Sequence, residues 1–125
     1  MKKTQTAAIK PGKRTLKLSE IDHGFVIKRR YIDILGLSGS MLMVYSFVRG
    51  FCETDREGMF YGTRSYIAAA LGLGRSTVDL ALAELVAARY LFKRIEYDFG
   101  RSRIYYVANL ELEERLTREY FGFVS

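Results

Sequence analysis

The chain has 125 residues, of which 49% are apolar and 27% charged, so it is long enough for one folded domain and too short for several. Its formal net charge is +6, and its one cysteine, Cys52, and one histidine, His23, exclude an internal disulfide and a metal site built from several such residues. The longest uncharged stretch, residues 34–48, is shorter than the roughly 20 apolar residues of a membrane span. No apolar signal core follows the basic start of the chain. We therefore expect a cytoplasmic protein without a membrane partner.

The positive charge is concentrated towards the amino terminus. Residues 1–30 carry nine basic and two acidic side chains, a balance of +7, whereas residues 31–125 carry 11 basic and 12 acidic side chains, a balance of −1. Residues 1–19 also contain the only proline and few large apolar side chains. We therefore predict a flexible basic arm over 1–19 and a folded domain over 20–125. The arm either keeps the protein soluble or contacts the phosphates of DNA or RNA.

The first predicted elements are a β-prone segment at 25–27 and one or two helical turns at 30–35. Apolar side chains then recur at three- and four-residue spacing from Met41 to Cys52, which predicts a core helix that a serine at 38 or 40 can cap. Cys52 falls on the apolar face of this helix. We interpret it as a buried thiol rather than a nucleophile.

Two short amphipathic helices joined by a glycine turn follow a short strand predicted at 59–61. Thr63 can cap the first helix, which ends at Gly72 in a position suited to a left-handed residue. The second helix is predicted from 75 to 88, with large apolar side chains on one face and alanines, including Ala88, beside them. This pattern is typical of a helix-turn-helix.

A β-hairpin and a final helix complete the predicted order. Aromatic and β-branched residues at 90–97 and 102–108 flank a glycine-bearing turn. The hairpin aromatics either stack on bases or fill its hydrophobic side, and we favour the second interpretation. These aromatics are Tyr97, Phe99, Tyr105 and Tyr106. The helix is predicted over 111–120, with Glu113 and Glu114 on a solvated face.

This order of elements resembles the winged-helix domains of bacterial DNA-binding proteins. The residues that carry the resemblance are Thr-Arg-Ser-Tyr-Ile-Ala at 63–68, Leu-Gly-Leu-Gly-Arg-Ser-Thr-Val at 71–78, Ala-Leu at 81–82 and Leu-Val at 85–86. Phe-Val-Ile at 25–27, Tyr-Ile-Asp-Ile-Leu-Gly-Leu-Ser-Gly at 31–39 and Met-Val-Tyr-Ser-Phe at 43–47 resemble the start of such domains in phage and plasmid replication initiators or replisome organisers. The resemblance implies an α+β, mainly helical winged helix-turn-helix with a C-terminal β-hairpin wing and a short terminal helix.

The resemblance also implies which residues contact DNA. The second helix of the pair would enter the major groove with its N-terminal residues on base edges, and the wing would reach the minor groove or the adjacent backbone. An arginine there can bridge two acceptors of guanine, whereas an aspartate either accepts from cytosine or lies at a favourable end of the helix dipole. The candidate DNA-binding residues are Thr63, Arg64, Arg75, Ser76, Thr77, Asp79, Lys93, Arg94, Arg101 and Arg103.

Two departures from the family pattern fall in this region. Asp79 stands where related recognition helices often carry a basic residue, and no glycine ends the second helix at 88–90. Several candidates also have a purely structural interpretation: Thr63 caps a helix, and the cations of the hairpin are solvated strand residues.

These features favour a DNA-binding protein over an enzyme. The chain has no phosphate-binding loop, no dinucleotide-type glycine fingerprint and no metal-ligand spacing, so we expect no catalytic activity, cofactor or small-molecule ligand. We predict recognition of duplex DNA in plasmid or phage replication initiation or in transcription regulation. The alternative is a winged-helix protein–protein interaction module without strong DNA binding, which Asp79 and the −1 balance of residues 31–125 favour.

Self-association is the last expectation from the sequence. Apolar groups near a terminus need a cover, which is either the protein's own core or the same surface of a second copy in a homodimer. The apolar groups concerned are Leu112, Leu116, Tyr120, Phe121, Phe123 and Val124.

Overall fold

The structure, a computed structural model, describes residues 25–124. The described part is an α+β fold of five helices and one three-stranded antiparallel sheet. The predicted arm at 1–19 and the boundary at residue 20 lie outside the described residues. In chain order the elements are α1 (Arg29–Asp33), α2 (Gly39–Thr54), β1 (Met59–Phe60), α3 (Arg64–Leu71), α4 (Arg75–Ala87), β2 (Leu91–Asp98), β3 (Arg101–Ala108) and α5 (Leu110–Val124).

Helix α2 forms the centre of the core, as its apolar spacing predicts. Val44, Tyr45, Val48 and Cys52 are buried, and the helix contacts α4, β1 and β3. Burial raises the pKa of the Cys52 thiol and so disfavours the reactive thiolate, which agrees with its interpretation as a buried thiol. Ser38 is the N-cap residue, although its side chain makes no capping hydrogen bond.

Aromatic rings join α2 to β1 and α3. The ring centroids of Phe47 and Phe51 lie 6.0 and 5.2 Å from that of Phe60 on β1. The same two rings lie 6.0 and 6.1 Å from Tyr66 on α3. Edge-on and tilted contacts of this kind add stability beyond the burial of apolar area. They hold the first turn of α3, which begins at Arg64, against the core.

The two helices predicted at 63–88 are present, and their ends follow the predicted local signals. Thr63 Oγ1 accepts a 3.0 Å hydrogen bond from the Tyr66 amide and so caps α3. Gly72 ends α3 with a φ of 69°, a conformation that glycine adopts without strain. The predicted apolar face of α4 is buried. Ala88 is exposed, against the prediction, because α4 ends one residue before it.

Arg89 follows the last residue of α4 and its C-cap, in the segment 88–90 where the sequence has no glycine to end the helix. Its φ is 69°, in the left-handed region. The amides of Arg89 and Tyr90 donate to the carbonyls of Val86 and Leu85, at 3.0 and 2.9 Å, which ends the helix in the manner usual for glycine. The Tyr90 hydroxyl donates a 2.7 Å hydrogen bond to the carbonyl of Leu35. This tertiary contact anchors the segment in which Arg89 holds its left-handed conformation.

The predicted hairpin is present. Strands β2 and β3 pair without interruption from Leu91 opposite Ala108 to Asp98 opposite Arg101, and β1 pairs with the other edge of β3. Opposite residues share a face of the sheet, and successive residues alternate between faces. Leu91, Ala108 and Tyr106 are buried, which defines one face of the hairpin as its core face.

The core interpretation is wrong for two of the four hairpin aromatics. Tyr97 is 79% exposed and Phe99 is 98% exposed, whereas Tyr106 is buried and Tyr105 is half-buried. Alternation does place Tyr97 on the core face. However, burial along β2 stops after Leu91, so the helices cover only the base of the hairpin.

Residues 25–27, predicted to be β-prone, form no strand in the described structure. Phe25 packs its ring edge-on against Phe47 of α2, with centroids 5.6 Å apart, while Val26 is exposed. A strand needs a partner for its backbone groups, and within residues 25–124 the sheet consists of β1, β3 and β2 alone. Packing of the Phe25 side chain takes the place of strand pairing.

The final helix, α5, extends beyond the predicted 111–120 as far as Val124. The residue on it whose environment differs most from the prediction is Glu113. Glu113 was expected on a solvated face but is 6% exposed. Its Oε1 accepts a 2.6 Å hydrogen bond from Arg30 Nε, and its Oε2 accepts a 3.0 Å bond from Arg49 Nε. Burial disfavours the charge on Arg49, but the hydrogen bond and attraction to Glu113 outweigh it and raise the pKa of Arg49.

Candidate nucleic-acid interface

The N-terminal ends of α3 and α4 bring three candidate residues together. Arg64 begins α3, Arg75 begins α4, and Asp79 lies about one turn further along α4. Asp79 Oδ1 is 3.4 Å from Arg64 Nε and 3.8 Å from Arg75 Nε. Arg75 Nη1 also donates a 2.9 Å hydrogen bond to Ser65 Oγ. We refer to Arg64, Ser65, Arg75 and Asp79 as the arginine cluster.

The arginine cluster is positively charged and loosely bonded. Two guanidinium groups and one carboxylate leave a charge of +1. The Oδ1 atom of Asp79 is buried, yet it accepts no hydrogen bond from the described residues, and its two Nε contacts are longer than a normal hydrogen bond. A guanidinium carries five N–H donors, so Arg64 and Arg75 both retain donors for a ligand.

Asp79 therefore has a role that neither sequence interpretation described. It is the fifth residue of α4, beyond the first turn in which the helix dipole acts most strongly. Its carboxylate instead attracts an arginine from each helix of the pair. The negative charge is thereby offset within the arginine cluster, and both guanidinium groups lie beside the same carboxylate oxygen.

Polar groups continue along the first turn of α4. Gly74 is the N-cap residue and provides no side-chain cap, so the first amides of α4 lack a side-chain acceptor. Ser76 and Thr77 are exposed on this turn. Amides and hydroxyls at a helix start suit the oxygens of a phosphate. Thr63, by contrast, already uses its hydroxyl oxygen to cap α3.

The four candidate cations of the hairpin lie on different faces. Lys93 is opposite the buried Tyr106 and therefore belongs to the core face. The other three belong to the opposite face, because their positions alternate with those of the core face; they are Arg94, Arg101 and Arg103. The sequence analysis named all four as candidate DNA contacts, and the structure divides them between the two faces.

Aromatic rings support two of the three arginines on the outer face. The Arg94 guanidinium carbon lies 5.4 Å from the centroid of the Phe92 ring, and that of Arg103 lies 5.3 Å from the centroid of Tyr61. Tyr61 in turn packs on Tyr105, with centroids 5.0 Å apart. Cation–π contacts of this kind hold a guanidinium without neutralising it. The sequence analysis placed Tyr61 in the short strand predicted at 59–61 and gave it no role, whereas the strand ends at Phe60 and the Tyr61 ring lies against Arg103.

Tyr106 links the arginine cluster to the core face of the hairpin. Burial raises the pKa of the Tyr106 hydroxyl, while the nearby charges of Arg64 and Asp79 act on it in opposite directions. Lys93 is the cross-strand partner of Tyr106 and shares its face. Among the four candidate hairpin cations, Lys93 is therefore the one that shares the face of Tyr106.

Other kinds of site receive little support in the described part of the chain. No group of His, Cys, Asp and Glu side chains within residues 25–124 could hold a metal ion, and none of the helices described there is long and apolar enough to cross a membrane. An open cleft of about 410 Å³ lies between Arg89 and α5. Its walls mix charges of both signs, including Glu114 and Arg118, which form an ion pair of 2.8 Å.

No protein-family model, no curated protein and no solved structure matches this chain.

Proposed function

We propose that the protein is a winged helix-turn-helix protein that binds duplex DNA, in plasmid or phage replication initiation or in transcription regulation. The order α2, β1, α3, α4 and the β2–β3 hairpin supports this proposal, because it follows the winged-helix order of helix, small strand, helix, turn, helix and hairpin. In the same sheet, β1 pairs with β3 beside the hairpin. In the proposed arrangement α4 is the recognition helix and the hairpin is the wing.

The arginine cluster is the observation that carries the proposal. A recognition helix contacts bases with its N-terminal residues, and Arg75 is the first residue of α4. A hydrogen bond to Ser65 on α3 positions its guanidinium, and the carboxylate of Asp79 on α4 attracts it. A side chain held in place loses less conformational freedom on binding, which favours a two-pronged contact with guanine. The neighbouring Arg64 and the exposed hydroxyls of the first turn would then contact phosphates.

A salt titration of two adjacent hairpin variants tests which face meets DNA. Lys93→Gln and Arg94→Gln remove the same charge from neighbouring positions on opposite faces. We expect Lys93→Gln to lower the slope of log affinity against log salt by about one unit, and Arg94→Gln to leave it nearly unchanged. The measurement is fluorescence anisotropy of a labelled duplex between about 50 and 300 mM salt, first with random sequence and then with a duplex selected from a random pool.

The parent protein must show salt-dependent binding for the proposal to stand. Equal slopes for the two variants would contradict the proposal that the core face of the hairpin meets DNA, while leaving DNA binding itself intact. If the parent bound no duplex even at low salt, the second candidate would replace the first.

The second candidate is a winged helix that binds another protein. An exposed apolar strip on the hairpin favours it, since Ile95 and Ile104 are cross-strand partners and Tyr97 lies on the same face. The argument from Asp79, however, no longer favours this candidate, because its carboxylate faces Arg64 and Arg75. Absence of duplex binding at low salt distinguishes this candidate from the first.

We further propose that the protein forms a homodimer through α5. Leu116 packs against the core, but Tyr120 and Phe121 remain exposed, with their rings edge-on at 5.4 Å. A dimer would present two recognition helices to half-sites one helical turn apart. We expect sedimentation equilibrium to show a dimer for the parent and a monomer for Tyr120→Ser. Leu110→Ser, an exposed position at the other end of α5, should remain dimeric, and a monomeric parent would contradict the proposal.

A further inference from the structure

Phe99 at the tip of the hairpin is unusual in both its exposure and its backbone conformation. Its side chain is 98% exposed, and its φ is 50°, in the left-handed region. Gly100 follows with a φ of 77°, so the two turn residues match the turn type that favours Asn-Gly or Asp-Gly. A bulky residue is disfavoured in that conformation, and an exposed ring is disfavoured in water. Strain of this kind is concentrated at functional sites.

The hairpin carries this ring well away from the body of the protein. Only the base of the hairpin is buried, yet strand pairing continues to Asp98 opposite Arg101. From Lys93 to Phe99 the chain advances about 20 Å, at roughly 3.3 Å for each residue of a strand. A ribbon paired along its whole length holds the Phe99 ring at a defined distance from the arginine cluster.

We propose that Phe99 is an apolar wedge that enters the minor groove of bound duplex DNA and partly unstacks one base step. The inference rests on the proposed DNA-binding function. Minor-groove proteins combine cationic side chains with apolar wedges that kink the duplex by about 20–90°. Arg101 belongs by register to the outer face, but it is adjacent to the turn and two positions from Phe99, so at the tip of the hairpin its long side chain can reach the groove that the ring enters.

The arrangement of exposed rings favours a wedge over a platform for single strands. Proteins that bind single-stranded nucleic acid stack successive bases on several rings of one surface. On this hairpin, Tyr97 and Phe92 lie on opposite faces, and Phe99 stands alone at the turn. A single ring at the end of a stiff ribbon is suited to insertion between two base pairs.

The test uses the full chain, a duplex labelled at both ends for energy transfer, and 2-aminopurine at a flexible TA step. We expect the parent to bring the duplex ends closer together and to raise 2-aminopurine fluorescence. Phe99→Asn creates the preferred Asn-Gly turn and so keeps the hairpin folded, but it should lose both changes at saturating protein. Phe99→Leu retains an apolar wedge and should keep both.

The outcomes separate the wedge from the proposed function. A parent that binds the duplex without bending it, or a Phe99→Asn variant that bends it as the parent does, would overturn the wedge and leave DNA binding standing. A parent that binds no duplex at low salt would end both proposals. Thermal unfolding of Phe99→Asn at or above the parent's midpoint would show that the loss of bending comes from the missing ring.

Discussion

Replacing Glu113 by alanine is expected to lower the free energy of unfolding by about 3 kcal/mol. Glu113 is the shared acceptor for Arg30 and Arg49. Its removal leaves the Arg49 guanidinium, whose side chain is 9% exposed, without its buried carboxylate partner. We expect the lower end of the range for a broken buried pair, because Glu53 remains 3.2 Å from Arg49 and Arg30 reaches solvent.

Urea unfolding followed by far-ultraviolet circular dichroism measures this loss, and the neighbouring Glu114 supplies the control. Glu114 is exposed and forms a surface ion pair with Arg118, its one partner among the residues described, so Glu114→Ala should change the stability by less than about 0.5 kcal/mol. Joint replacement by Glu113→Leu and Arg49→Met should recover most of the loss, because apolar side chains of similar volume can replace a buried ion pair. Equal stabilities for Glu113→Ala and Glu114→Ala would contradict the prediction.

The environment of Glu113 shows what sequence patterns leave undetermined. Spacing rules relate charges three or four positions apart on one helix, and they assign neither Glu113 nor Glu114 a partner on another element. The partners of Glu113 lie 83 and 64 residues earlier in the chain, on α1 and α2. Which of two adjacent acids meets them depends on how α5 lies against the core, and that is a tertiary property.

The helix pair was predictable because its signals are local. The cap at Thr63 and the left-handed glycine at Gly72 act within the segment that they delimit. The hairpin was predictable for the same reason. The exposure of Tyr97 and Phe99 was not, because alternation assigns side chains to faces of a strand but does not determine what covers each face.

The candidate site was predicted as separate residues and not as a cluster. Arg64, Arg75 and Asp79 were each identified by position relative to a helix start, but their contact depends on the way α3 and α4 cross. Ser65 was missed because a serine inside a first helical turn resembles any solvated residue. Its position next to Arg64 was the only indication available in the sequence.

Removing both arginines of the cluster, in an Arg64→Ala/Arg75→Ala variant, should weaken binding to the selected duplex by about 2–4 kcal/mol, roughly 30- to 700-fold. Arg75 would lose a base contact of about 1–3 kcal/mol, and Arg64 would lose a phosphate contact. The two losses are coupled, because Asp79 faces both guanidinium groups and remains as a carboxylate that repels phosphate.

An Arg115→Ala/Arg118→Ala variant is the matched control, because it also removes two arginines that pair with carboxylates on the surface. These residues line the cleft at the C-terminal end of α4, whereas Arg75 begins that helix. The 13 residues of α4 separate its two ends by about 20 Å. General attraction between a basic protein and DNA predicts equal losses for the two double variants. If DNA contacts the arginine cluster, the control should lose little affinity. Under the same model, Arg75→Ala alone should relax the preference at one base position, whereas Arg64→Ala alone should weaken binding to all sequences alike. Anisotropy titrations of both double variants on selected and random duplexes separate these outcomes, since only a contact that reads bases changes the ratio of the two affinities.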